Sequence, residues 1–537
     1  MPKISQNSTG GVIRFDANDF LSNLYPQYQT SVNAAPGYIS NQILVETAFN
    51  PFRYLGYAAP GFNPTDLTTV SVMTGLGRNV TVASESSTDY AYVICDNERI
   101  NRIDIVNKTF SNAGSWPHTI TGAGAITGND VITYNENIGS TSTPCVLYSY
   151  NDAGGAWNIG LFNTSSGAFD ADWFTTIPAT PITPAGKTKP HPMVIGSDDI
   201  LYVGDGNKLH ALDGATGANG TVEDTVLLLP YGYIITSFAK TPDYLVVFAY
   251  YSPSTVTVNP NTDTSAKAIA VFWNYLDQDP TYVVPLNDSA VTAGFEYQGS
   301  IGCFTQGAKP VQEGENRYSK LKLFNGSTFD TIQQFIGNAP IHGGVDIVDS
   351  SIQWNSDGIL HCYGTPLTGA SKNGLNKIGA GSGTSRGLLR TVGGTSGFQM
   401  MSSGTTTSGG AQYFKVGTFA ASALMQTSAA IPQFPLGMIG KIKRIVTTYG
   451  KASNAGRTLN AYLVRQDGEA LQFTSSASAI ASTAMTIQTD RLSSGGTLGK
   501  FSELSLDLNW STGSAVTDAP VVRSVDVEYE NVNIIGN

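Results

Sequence analysis

The chain has 537 residues, of which 41% are hydrophobic, 13% are charged and 58 are glycine, with a formal net charge of −11. That length exceeds what one core usually organises, so two or more domains are expected, and the hydrophobic share excludes wholesale disorder. The acidic balance argues against phosphate-neutralising nucleic-acid binding, and the longest apolar run, Tyr244 to Tyr251 ("YLVVFAYY"), is far too short to span a bilayer. The charge is uneven: from Lys415 onward there are 10 Lys plus Arg against 9 Asp plus Glu, leaving 20 against 32 in the first 414 residues. Abundant Gly, Ser and Thr between short β-favouring apolar runs predict strands and tight turns in place of helices.

Residues 1–64 read as an extended N-terminal arm. The opening "MPKISQNSTGGVIRF" has no apolar core of a signal peptide, so a soluble protein made in a cytoplasm is expected. Toward its end, Phe49 to Pro64 ("FNPFRYLGYAAPGFNP") is rich in aromatics, Pro and Gly. That stretch reads as chain lying along a surface or supplying a closing strand.

From 65 to 400 one pattern recurs: an apolar strand, a turn, a second strand, then Asn or Asp in a small-residue turn. Copies are Tyr90 to Phe110, Val146 to Phe169, Ile200 to Gly217 and Arg317 to Phe329, with turn residues Asn107, Asn163, Asp213 and Asn325. The intervals are 56, 50 and 112 residues; Asn274 lies near the midpoint of the long one, and a weaker match puts Asn376 in a further copy. A period of this length built from hairpins predicts a β-propeller of about six or seven blades. Residues 401–411, within a Gly/Ser/Thr-rich stretch, read as a linker.

From 412 to 537 the pattern changes to alternation. Leu504, Leu506, Leu508 and Trp510 share one face, and Val521, Val525, Val527 and Tyr529 share one face of the last strand. Alternating strands with one wet side predict a C-terminal β-sandwich or jelly roll. The fold class is therefore all-β.

Chemistry is sparse. Cys95, Cys145, Cys303 and Cys362 are scattered and read as buried thiols. Gly383 to Gly387 ("GTSRG") matches a nucleophile elbow without the strand and helix that make one work. "PAGKTKP" (Pro184 to Pro190) lacks the first glycine of a phosphate loop, and "TGAGAITG" (Thr121 to Gly128) is read as turn glycines. His118, His191, His210, His342 and His361 show no metal-binding spacing. The acidic pairs Asp277 with Asp279 and Asp198 with Asp199 could ligate calcium or form a glycosidase pair, and read better as solvated turn residues. Aromatic side chains could stack on sugars, although blade aromatics mostly fill cores. No catalytic, cofactor-binding or metal-binding residue is assigned.

The order of arm, propeller and terminal sandwich, with "RYLGYAAPGF" (Arg53 to Phe62), the hairpin repeats and the ending "KIKRIVTTYG … PVVRSVDVEYE", resembles the tail nozzle or hub proteins of tailed double-stranded DNA bacteriophages. The resemblance implies a non-enzymatic virion protein: a ring of self-associating copies, commonly six, joined to portal, adaptor and other tail proteins. DNA would pass through it during genome ejection without sequence-specific binding, and the acidic portion would keep phosphates from adhering. Two alternatives stay open at this stage, a receptor- or glycan-binding fibre, spike or surface propeller, and a propeller glycoside hydrolase.

Overall fold

The computed structural model describes residues 3–7, 9–17, 43–47, 58–60, 62–66, 76–111, 114–120, 127–138, 141–151, 157–171, 173, 190–213, 221–252, 267–306, 318–336, 338–348, 351–356, 359–364, 375–380, 387, 389–393, 398–405, 408–419, 422–427, 429–450, 458–474, 486–492, 496–511 and 521–534. Among them lie seven small antiparallel sheets, each built on a four-stranded meander, and two larger ones. Blade 1 comprises Gly77–Glu85, Thr88–Cys95, Arg99–Asp104 and Thr109–Phe110, with His118–Thr119 also on its third strand. Blade 2 comprises Thr127–Ile138, Thr141–Asn151, Trp157–Asn163 and Phe169–Asp170, and blade 3 Met193–Ile195, Leu201–Asp205, Lys208–Asp213 and Thr221–Leu228. Blade 4 comprises Tyr233–Lys240, Leu245–Tyr251, Ala268–Trp273 and Tyr282–Pro285, and blade 5 Ala290–Tyr297, Ser300–Gln306, Tyr318–Phe324 and Phe329–Ile336. Blade 6 comprises Val345–Val348, Ser351–Ser356, Ile359–Gly364 and Leu375–Ala380.

Blade 7 takes Leu389–Val392, Phe398–Thr405 and Ser408–Phe419 from its own stretch and Phe62–Asp66 from the N-terminal part as its outermost strand. The first strand of each blade touches that of the next, and the seventh returns to the first. This closed ring makes the body a seven-bladed β-propeller.

In blade 4 the neighbouring blades cover both faces of the two middle strands, which is why these are apolar runs and not alternating ones. Leu245 to Tyr250 and Ala268 to Trp273 are buried throughout. Aromatic rings fill the seams: Tyr92 and Trp116 of blade 1 meet Phe162 of blade 2, and Trp354 of blade 6 meets Phe304 and Phe335 of blade 5.

The recurrent turn is an Asx turn between third and fourth strands. Asn163, Asn274 and Asn325 each accept backbone N–H groups two and three residues ahead with Oδ1. In blade 1 Asp104 does this, accepting from Asn107, so Asn107 is the turn's donor and not its anchor. Asn376 lies within the outer strand of blade 6 and is no turn residue.

The two larger sheets form the sandwich. One orders Lys3–Asn7, Gly10–Asp16, Val522–Asn533, Met438–Tyr449 and Thr486–Thr489, with Lys500–Phe501 also on Met438–Tyr449. The other orders Ile43–Thr47, Ser422–Thr427, Leu504–Ser511, Thr458–Arg465 and Ala470–Thr474. The closing strand is thus a central one, flanked by the N-terminal Gly10–Asp16 and by Met438–Tyr449. Its Val525, Val527 and Tyr529 share one core with Leu504, Leu506, Leu508 and Trp510 of the facing sheet, and with Ile13 and Phe15. On the outer face Asp526, Glu528 and Glu530 meet Arg14, Arg444, Lys441 and Lys443.

Two boundaries differ from the sequence-based expectation. The described parts of residues 1–64 are mostly sandwich strands, with Gly10–Asp16 pairing along the edge of Val522–Asn533 that Met438–Tyr449 does not occupy. The expected linker at 401–411 falls on the hairpin of Phe398–Thr405 and Ser408–Phe419 in blade 7, where small residues occupy strand positions.

Candidate functional site

Four inner strands carry the same irregularity. Pairing between the first two strands skips one residue at Arg78 in blade 1, Asn129 in blade 2, Thr236 in blade 4 and Thr292 in blade 5. A β-bulge of this kind twists the strand and re-aims a side chain, and bulges concentrate beside functional sites. All four bulged residues line one cavity at the propeller axis. Asn79, Asp130, Ser237, Phe238, Met193 and His342 complete most of its wall. Its volume is about 130 Å³, below the about 150 Å³ of a protein cavity that accepts benzene, so a sugar ring with its substituents would enter it only in part.

Hydrogen bonds crossing from blade to blade hold the wall. Arg390 of blade 7 donates from Nη1 to Asn79 Oδ1 at 3.2 Å, and Asn79 Nδ2 donates to Asp130 Oδ1. Asp130 Oδ1 also accepts from Val131 N at 2.9 Å, and Oδ2 accepts from Met193 N at 2.8 Å. On the other side Gly294 N donates to Ser237 Oγ at 2.7 Å and Thr236 Oγ1 donates to the Val291 carbonyl at 3.0 Å. Blade 6 comes close because residue 343 is glycine: a β-carbon there would overlap the Arg78 carbonyl oxygen and crowd Asn79 Cα.

Burial sets the electrostatics. It raises the Asp130 carboxyl above its ordinary value, against the pull of its Met193, Asn79 and Val131 donors and of Arg390. Burial lowers His342 to about 3, with Arg390 adding to the effect, so the imidazole is neutral. Burial also lowers Arg78, opposed by Asp96 and Cys95, yet a guanidinium stays charged in proteins. Asp346, on the first strand of blade 6, is raised by burial while Thr391, Gln399 and Arg390 oppose that rise.

The residues singled out in the sequence do not assemble here. His118 stacks on Phe169, His361 stacks on Trp354, and His191 and His210 flank Asp205 at 4.0 and 3.6 Å inside blade 3. Only His342 reaches the axis. Asp277 lies in the Asn274 turn of blade 4, and Asp198 accepts a hydrogen bond from Tyr202 in blade 3. The four cysteines are buried. Among the described residues no group of His, Cys, Asp and Glu could hold a metal ion. "GTSRG" up to residue 386, "PAGKTK" and residues 121–126 lie outside the described residues.

What sequence reasoning missed is the bulge set. A signal existed in Gly77-Arg-Asn-Val80 and Gly128-Asn-Asp-Val131, two copies of a small residue, a polar pair and valine at the start of consecutive blades.

No family model and no curated protein matches the chain. Among solved structures it is similar to two variants of the exo-β-1,3-galactanase of Phanerochaete chrysosporium, each with β-1,3-galactotriose. Identities are 8% and 9% and TM-scores 0.32 and 0.33, over 87% of this chain and 99% of those. The expectation of a non-enzymatic phage tail structural protein finds no counterpart among these matches and is set aside. At such low similarity their activity is not carried over, and the functional reading rests on the cavity itself.

Proposed function

We propose that the protein recognises carbohydrate, with the axial cavity taking one sugar residue. The observation that carries this is the convergence of four bulged residues on one cavity of mixed polar and apolar lining at the propeller axis. Sugars need many directional hydrogen-bonding groups around one apolar face. The wall includes the polar Asn129, Thr236, Ser237 and Thr292 together with Phe238. A second reading, glycoside hydrolysis, rests on Asp130, whose carboxyl belongs to the same wall.

Calorimetry with a panel of mono- and disaccharides tests the binding. Saturable binding should be abolished by Asn129→Leu, which replaces a bulged polar group at the wall. Release of new reducing ends from a bound disaccharide, lost in Asp130→Asn, would establish turnover. Absence of binding to every sugar in the panel would refute the proposal.

A further inference from the structure

The charges at the cavity wall are unequally engaged. Asp130 has both oxygens taken, by Asn79, Val131 and Met193. Arg390 donates to Asn79, with Asp346 and Asp130 both acting on its charge. Neutral His342 adds no charge to the wall. Arg78 is different: its Nε is enclosed and has no hydrogen-bond partner among the described residues. Asp96, whose field acts on Arg78, has Oδ1 accepting from Leu76 N at 2.7 Å. A second polar atom at the same wall, His342 Nδ1, is likewise enclosed with no partner among the described residues.

The enclosed Nε is out of a ligand's reach, so a ligand entering the cavity that Arg78 lines would meet its Nη groups. The two Nη groups can donate two parallel hydrogen bonds to a planar carboxylate. The bulged residue 78 lies at the wall of this cavity.

We propose that the sugar taken by the axial cavity is acidic, a uronic acid residue whose carboxylate pairs with the Arg78 guanidinium, while the wall amides and hydroxyls meet the ring hydroxyls. This rests on the carbohydrate reading above and narrows it to a substrate class. Arg78 acts as the specificity-determining residue.

The test compares glucuronic and galacturonic acid, and disaccharides ending in them, with glucose and galactose counterparts, by calorimetry on the full chain. The unaltered protein should bind at least one acid about tenfold more tightly than its neutral partner, the gain from one charge-assisted contact. Added salt should narrow the gap. In Arg78→Gln that ratio should fall toward one, and Arg78→Lys should retain part of it, as a point charge without the planar fork. Equal binding of acid and neutral sugar by the unaltered protein would overturn the inference and leave the carbohydrate reading standing. A ratio unchanged in a folded Arg78→Gln would also overturn it. Binding of no sugar of either kind would remove both. The comparison within the unaltered protein holds even if the variants fail to fold.

Discussion

Replacing Phe15 by Ala tests whether the N-terminus is part of the C-terminal domain. Phe15 is 2% exposed and lies in register opposite Val525, which is fully buried. Opposed residues on one face of antiparallel strands touch, so the two side chains share a packing site although 510 positions separate them in sequence. Truncating a buried Phe to Ala costs about 3–5 kcal/mol, and the cavity left behind is part of that cost. Val525→Ala should cost about 1.5–3 kcal/mol from lost burial. Because each change empties space that the other side chain borders, the double variant should depart from the sum by about 0.5–3 kcal/mol. Urea unfolding read through Trp510, which sits in the same core, reports the sandwich directly; subtracting the signal of Trp510→Phe isolates it from the propeller tryptophans. Additivity of the two changes to within about 0.5 kcal/mol would mean that the residues are not neighbours. The threading of the N-terminus into the sandwich would then be wrong.

Three further outcomes are expected. Gly343→Ala should destabilise the propeller by about 1–3 kcal/mol, since a β-carbon would strike the Arg78 backbone; an unchanged thermal midpoint would contradict that close approach. His342 has a folded pKa near 3, below its ordinary 6.5, so its contribution is fully present above pH 6.5 and is lost as pH falls toward 3. The stability gap between the unaltered protein and His342→Gln should therefore shift against the unaltered protein between pH 7 and pH 4, and a pH-independent gap in urea titrations would refute this. Asn325→Ala removes the acceptor for two backbone N–H groups in an exposed turn and should cost about 0.5–1.5 kcal/mol; amide exchange at Ser327 and Thr328 should quicken, and unchanged exchange would count against the Asx turn.

The chain by itself determined the class of structure. Leu245 to Tyr251 is apolar without alternation because both faces of that strand are covered, whereas Val525, Val527 and Tyr529 alternate with acidic residues because one face meets water. Those two patterns, with the spaced Asx turns, distinguish propeller from sandwich without coordinates, since burial dictates side-chain polarity residue by residue. Tertiary structure alone decided the closures and the site. Phe62–Asp66 becomes the outer strand of blade 7, and Gly10–Asp16 pairs with Val522–Asn533, through backbone pairing that the side chains do not announce. Arg78, Asn129, Thr236 and Thr292 converge only because four bulged strands surround one axis. A bulge is a mismatch in length between paired strands, a relation between two segments, so the similar stretches at 77–80 and 128–131 hint at it without fixing it.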